Sequence, residues 1–182
     1  MLNDIETVVL GHLCDKNGCI RIPEYCTEVR LDIGLSVNAP FSEIWLRENP
    51  DKLCVFGFEP CPECIEAILT GEKGEWHIGL DTKRINRNFF LLPAALSDST
   101  PYYSDFYVAN GDLGTSSLNK PKTISTKRIC KVPCIRLSDF FLRFPWKQIP
   151  RIECMKIDAQ GHDLNILKGA GFFLSYIENI II

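Results

Sequence analysis

Four apolar runs recur along the chain, separated by segments whose apolar residues fall at helical spacing. Glu28 to Gly34, Leu53 to Glu59, Phe89 to Leu96 and Ile152 to Asp158 each read as a strand. The nearly unbroken apolar stretch Leu53-Cys-Val-Phe-Gly-Phe58 is the pattern of a parallel strand covered on both faces. Helices are predicted between the runs. The first spans Ala39 to Glu48, with Asn38 as its cap, Pro40 in its first turn and Phe41, Ile44, Trp45 and Leu46 as its buried face. A second runs from Pro62 to Leu69 and closes at Thr70-Gly71; a third follows a turn and covers Leu164 to Leu174. Ile177 to Ile182 begins a fifth strand, and the chain stops inside it. This alternation predicts an α/β fold: a Rossmann-like, doubly wound, mainly parallel sheet with helices on both faces, ending after the fifth core strand.

The remaining stretches are less regular. Met1 to Leu13 reads as a short helix, Asp15 to Gly18 as a turn, and Cys19 to Pro23 as a short edge strand limited by its proline. Residues 1–28 are therefore expected to form an N-terminal extension and residues 29–182 the main domain. Trp76 to Leu80 is either a short strand or a loop packed by its tryptophan, with His77 structural. Tyr102 to Val108 alternates like a β-ribbon. Asn110 to Ser117, rich in glycine and hydroxyls, is a surface loop or one that closes over a ligand. Pro121 to Lys131 is expected to be a mobile connection, and Ile135 to Phe144 a brief strand followed by a helix.

Composition narrows the class. With 182 residues, 46% of them apolar, the chain can bury one sizeable core. A net charge of −3 argues against a nucleic-acid partner. No apolar run reaches the roughly 18 residues of a membrane span. Asp4 and Glu6 stand where a secretory leader carries positive charge, so a cytoplasmic protein without a membrane partner is expected. The nine cysteines are scattered through apolar runs and read as reduced thiols. Cys61-Pro-Glu-Cys64 has the spacing of a zinc or redox pair, but no histidine pair completes a ligand set and no metal is expected.

Candidate chemistry sits at the strand ends. Asp32, Glu59, Asp98 and Asp158 are each delivered by one of the four runs to the same edge of the sheet. Glu59 follows Gly34 by 25 positions, close to the spacing at which nucleotide-binding α/β folds place a carboxylate for ribose hydroxyls. Neither a Gly-x-x-x-x-Gly-Lys-Ser/Thr loop nor a Gly-x-Gly-x-x-Gly turn is present to cradle phosphates. Carboxylates suit a ligand with hydroxyls and positive charge, and S-adenosylmethionine has a ribose diol, amines and a sulfonium.

Several ordered motifs point the same way: Leu-Asp-Ile-Gly at 31–34, Phe-Glu-Pro-Cys-Pro at 58–62, Ala-Ala-Leu-Ser-Asp at 94–98, Ser-Ser-Leu at 116–118, Lys-Ile-Asp-Ala-Gln-Gly-His-Asp at 156–163 and Leu-Lys-Gly-Ala at 167–170. Over roughly Val29 to Ile182 the chain resembles the FkbM-type methyltransferases, which have the class I Rossmann-like fold. The resemblance implies S-adenosylmethionine as cofactor. Asp32 and Gly34 would line its methionine end, Glu59 its ribose, Asp98 its adenine, and Asp158 would face the transfer site.

Ser36 and Asn38 would replace, by side chain and turn geometry, the second small residue that the family carries after Gly34. Asp158 and His162 are the candidates to take a proton from a hydroxyl acceptor. Gln160 stands where the family pattern Asp-x-Glu-Gly-x-Glu has an acid, and it cannot act as a carboxylate. The expected activity is methyl transfer to oxygen on a small molecule or glycan. The alternative is a catalytically inactive or truncated methyltransferase-like binding module. Class I members continue with a helix and two further strands, so the open sheet edge is expected to allow self-association.

Overall fold

The computed structural model describes residues 4–72, 78–99 and 101–182. The apolar runs do form strands: β1 (Glu28–Ile33), β2 (Leu53–Phe58), β3 (Phe89–Leu92), β7 (Ile152–Ile157) and β8 (Ile177–Ile181) make one sheet in the order β3-β2-β1-β7-β8, parallel throughout. Every residue of β2 is buried, as its apolar character requires of a strand covered on both sides. β1 alternates. Val29, Leu31 and Ile33 enter a core shared with Phe56, Phe140, Met155 and Ile166, while Arg30 and Asp32 face the opposite side.

That opposite side is covered by α2 (Pro40–Glu48) and α3 (Pro62–Thr70), whose Trp45, Leu46 and Ile68 pack with Leu53 and Val55. α1 (Asp4–Leu10), α4 (Leu137–Phe141) and α5 (Asp163–Ala170) cover the first face, so helices lie on both sides. Val9, Leu10, Ile20 and Ile22 of the N-terminal segment enter the same core. The expected edge strand at Cys19–Pro23 is reduced to a single bridge between Cys14 and Ile20.

Four further expectations are corrected. The run Phe89 to Leu96 is two strands, because Pro93 has no N–H for the ladder; β3 ends at Leu92, and β4 (Ala95–Ser97) belongs to another sheet. Pro121 to Lys131 is partly strand: β6 (Thr126–Arg136) pairs antiparallel with β5 (Tyr102–Ala109) and parallel with β4. On α2, Phe41 and Ile44 are each 41% exposed, and the polar Ser42 and Glu43 are buried instead. Partners make this possible: Glu43 pairs with Arg47 at 2.6 Å and Arg84 at 3.6 Å and accepts from the Asp81 N–H. α5 also stops earlier than expected and passes through a 3-10 turn, Gly171–Tyr176, into β8.

The small second sheet, β4-β6-β5, has a core of its own built from Phe106, Val108, Val132 and Cys134 with Cys61 and Cys64 of the α3 region. All nine cysteines are free thiols. Among the described residues no group of three His, Cys, Asp or Glu is placed to hold a metal ion, and no helix is long and apolar enough to cross a membrane. Trp76 and His77 lie outside the described residues.

Candidate functional site

The site begins where β1 ends. Gly34 turns with a φ of 79°, a left-handed conformation that side chains resist, and its N–H donates to Phe58 O at 3.0 Å. The next peptide group is held at both ends. Lys156 Nζ donates to Gly34 O at 2.5 Å, and the Leu35 N–H donates to Glu59 Oε2 at 3.0 Å. The Ser36 N–H reaches the same Glu59 oxygen at 3.0 Å, and Cys61 N–H donates to the other at 2.8 Å. Ser36 and Ala39 then take φ values of 58° and 45°, left-handed geometry without glycine. Such strain concentrates at functional sites.

Glu59 is 5% exposed. Burial pushes its carboxyl up to about 7, against the downward pull of the three backbone donors. It lies on one wall of a slot at the carboxyl ends of the strands, where open α/β sheets bind ligands. Phe58 and Ile166 line the main-sheet side; Ala95, Phe106, Leu113 and Ser116 line the other. The slot is a narrow cavity of about 60 Å³ that opens to solvent at its mouth.

The loop between β5 and β6 presses on this space. A Cβ on Gly114 would come 3.0 Å from Ser36 Oγ. The same loop is pinned where Ser117 Oγ donates to Gln160 O at 3.0 Å, and Asn119 N–H donates back to Ser117 Oγ at the same distance.

Five of the expected site residues meet here: Gly34, Ser36, Glu59, Asp158 and His162 all line the slot. Asp158, at the end of β7, is exposed and also borders an open cleft on the far side with Phe41, Lys156, Gln160 and Asp163. Its Oδ1 accepts from Gln160 Nε2 at 2.9 Å. His162 stands against β4, with Nε2 3.4 Å from both Ser97 Oγ and Asn165 Nδ2. Its Nδ1 is buried with no hydrogen-bond partner among the described residues. Burial lowers the His162 pKa, an effect the Asp98 and Asp163 carboxylates oppose.

Asp32, Asn38 and Asp98 lie elsewhere. Asp32 is 1% exposed on the α2 side of β1, where its Oδ2 accepts from Ser42 N–H at 3.1 Å and from Ser42 Oγ at 2.6 Å. A carboxylate there satisfies a free amide in the first turn of α2 and opposes the positive end of the helix. Lys156 Nζ is 3.3 Å from Asp32 Oδ1. Burial raises the Asp32 pKa, and Lys156 and Ser42 counter it.

Asn38 does not cap α2: the cap position is Ala39, and Asn38 Nδ2 donates to Ile78 O at 2.6 Å. Asp98 is exposed after β4, in the second sheet, with its Oδ1 3.4 Å from Ser97 and Ser99 Oγ. Sequence reasoning missed Lys156, one of two charges in an otherwise apolar strand. It read Tyr102 to Val108 as a β-ribbon and the polar loop at 110–117 as one that could close over a ligand, but not that β4, β5 and β6 form a second sheet walling the slot.

A parallel sheet with helices on both faces, whose first strand ends in a glycine turn backed by a carboxylate from the second strand, defines a Rossmann-like domain. A family model described as the methyltransferase FkbM domain matches residues 33–182, and the chain belongs to that family. Among solved structures it is similar to the methyltransferase FkbM from Methylobacillus flagellatus KT, at 13% identity and a TM-score of 0.45, over 92% of this chain and 33% of that one. The chain thus spans about a third of that protein's length. No curated protein matches.

Proposed function

We propose that the slot binds S-adenosylmethionine and that the domain transfers a methyl group to a hydroxyl oxygen of a small molecule or glycan. One observation carries the reading: a carboxylate, Glu59, is held at the slot wall by amides of the Gly34 turn. The residues present suit this cofactor. Glu59 is an acceptor for a ribose diol, the backbone of Gly34 is bare, and Ala95, Leu96 and Phe106 supply the apolar surface that a purine requires.

When bound, S-adenosylmethionine supplies an electrophilic methyl group on a sulfonium. The chain's own part is to bind, align and exclude water. Gly34 and Ser36 form the floor, and the Leu113–Ser116 segment forms the cover. Alignment in a closed slot accounts for much of the acceleration available to a displacement at carbon. Asp158, exposed at the junction of slot and open cleft, is the base we assign to the acceptor hydroxyl. Gln160 orients that carboxylate through its amide. His162, against β4, belongs to the purine side of this reading.

Calorimetric titration tests the proposal directly. Heat is expected with S-adenosylmethionine and none with NAD. Absence of binding by folded protein removes the cofactor assignment. Binding without turnover on any hydroxylated acceptor replaces the enzyme with a binding module.

A further inference from the structure

Lys156 is a cation at the penultimate position of β7, on a sheet face otherwise packed by α2, and is only 7% exposed. Burying an ammonium costs several kcal/mol unless it is paired and hydrogen-bonded. Here it has four partners: Asp32 Oδ1 at 3.3 Å, Gly34 O at 2.5 Å, Ile33 O at 3.5 Å and the Phe41 ring at 5.4 Å. An amine so engaged is not free to serve as a base or to capture an anion in the neighbouring cleft. Its neighbours give it another task.

Gly34 C=O and Leu35 N–H belong to one planar peptide unit and point in opposite directions. Lys156 holds the oxygen end and Glu59 accepts from the nitrogen end. The peptide dipole therefore lies between an ammonium and a carboxyl group. Rotating that plane breaks both contacts at once. It also turns the Leu35 amide away from the Glu59 oxygen that Ser36 shares. Asp32 completes the arrangement, holding Lys156 with one oxygen and the start of α2 with the other.

We infer that Lys156 is a positioning residue for the cofactor turn: by fixing the Gly34–Leu35 peptide between itself and Glu59, it sets the direction in which Glu59 presents its carboxylate to the ligand. The inference rests on the cofactor reading above for the ligand's identity, but not for the geometry of the turn. The consequence is a change in binding that a lysine needed only for packing would not produce.

The test compares wild type, Lys156→Met and the double variant Asp32→Asn with Lys156→Met, which removes the buried carboxylate charge together with its partner. Hydrogen exchange and the proton shift of the Leu35 amide are read by NMR in ligand-free protein, with Leu31 in β1 as the internal control. S-adenosylmethionine affinity is read by calorimetry. The double variant is expected to fold, to exchange Leu35 about tenfold faster relative to Leu31, and to bind about tenfold more weakly, each the scale of one hydrogen bond to a charged group.

A folded double variant with unchanged Leu35 exchange overturns the inference. So does a loosened turn with unchanged affinity, because the lysine then acts on the backbone alone. Collapse of both variants also overturns it, by making Lys156 a requirement of the fold. If wild type itself binds no S-adenosylmethionine, the cofactor reading falls, and the Leu35 amide still reports whether Lys156 holds the turn.

Discussion

Gly34 and Asp158 meet backbone to backbone: a Cβ on Gly34 would lie 2.0 Å from the Asp158 carbonyl oxygen and 2.9 Å from its carbon. No side-chain rotation relieves such a contact, and the φ of 79° adds its own penalty. Gly34→Ala is expected to destabilise the domain by about 2–4 kcal/mol, combining left-handed strain with overpacking. Urea denaturation measures the loss, and wild-type stability would mean that the strand ends are not in contact.

Glu59 makes stability depend on pH. Its folded pKa of about 7 lies above the ordinary value of 4.5, so between these values the folded state binds more protons than the unfolded chain. Stability is therefore fully present below about 4.5, falls as pH rises, and has lost its Glu59 contribution above about 7. The change is on the order of 3 kcal/mol. Glu59→Gln should flatten this part of the pH profile while weakening binding of a ribose diol. Denaturation midpoints at several pH values decide the first point and calorimetry the second.

Ser36 occupies the left-handed region at a φ of 58°, where a Cβ is unfavourable. Ser36→Gly should raise stability by about 1 kcal/mol through relief of that strain. It should also free the Gly114 loop, which packs on Ser36 Oγ, so that ligand association becomes faster. Thermal melting and stopped-flow binding measure the two effects. A lower melting point would show that the hydroxyl contact outweighs the strain.

Gly169 lies in α5, where helix propensity alone favours alanine by about 1 kcal/mol. A Cβ there, however, would stand 2.1 Å from Ser97 O in β4. Gly169→Ala is expected to destabilise by about 1–3 kcal/mol, the cost of forcing the helix off the strand. An increase in stability would show that α5 and β4 are not in close contact.

The parallel sheet was legible because β2, covered on both faces, is an unbroken apolar run, and β1 and β7 beside it keep mostly buried apolar residues between their charges. The start of β6 escaped notice because its first residues, Thr126 to Arg128, are polar and exposed. The site was legible in part for a similar reason. An acid at a strand end marks the ligand edge, but its face depends on a single residue of register. Glu59 falls after the last residue of β2 and reaches the slot. Asp32 falls one residue before the end of β1, on the side of α2, and becomes a support for that helix.

The second sheet carries a consequence for ligand choice. The slot works as a vice with one fixed jaw, the parallel strands with their interlocked registers, and one jaw that has its own filling of Phe106, Val108, Val132 and Cys134. Enlarging or trimming that filling shifts the second jaw and leaves the fixed one in register. The molecule admitted to such a domain can therefore be retuned from behind the wall, through Val108, Val132 and Cys134, which do not line the slot.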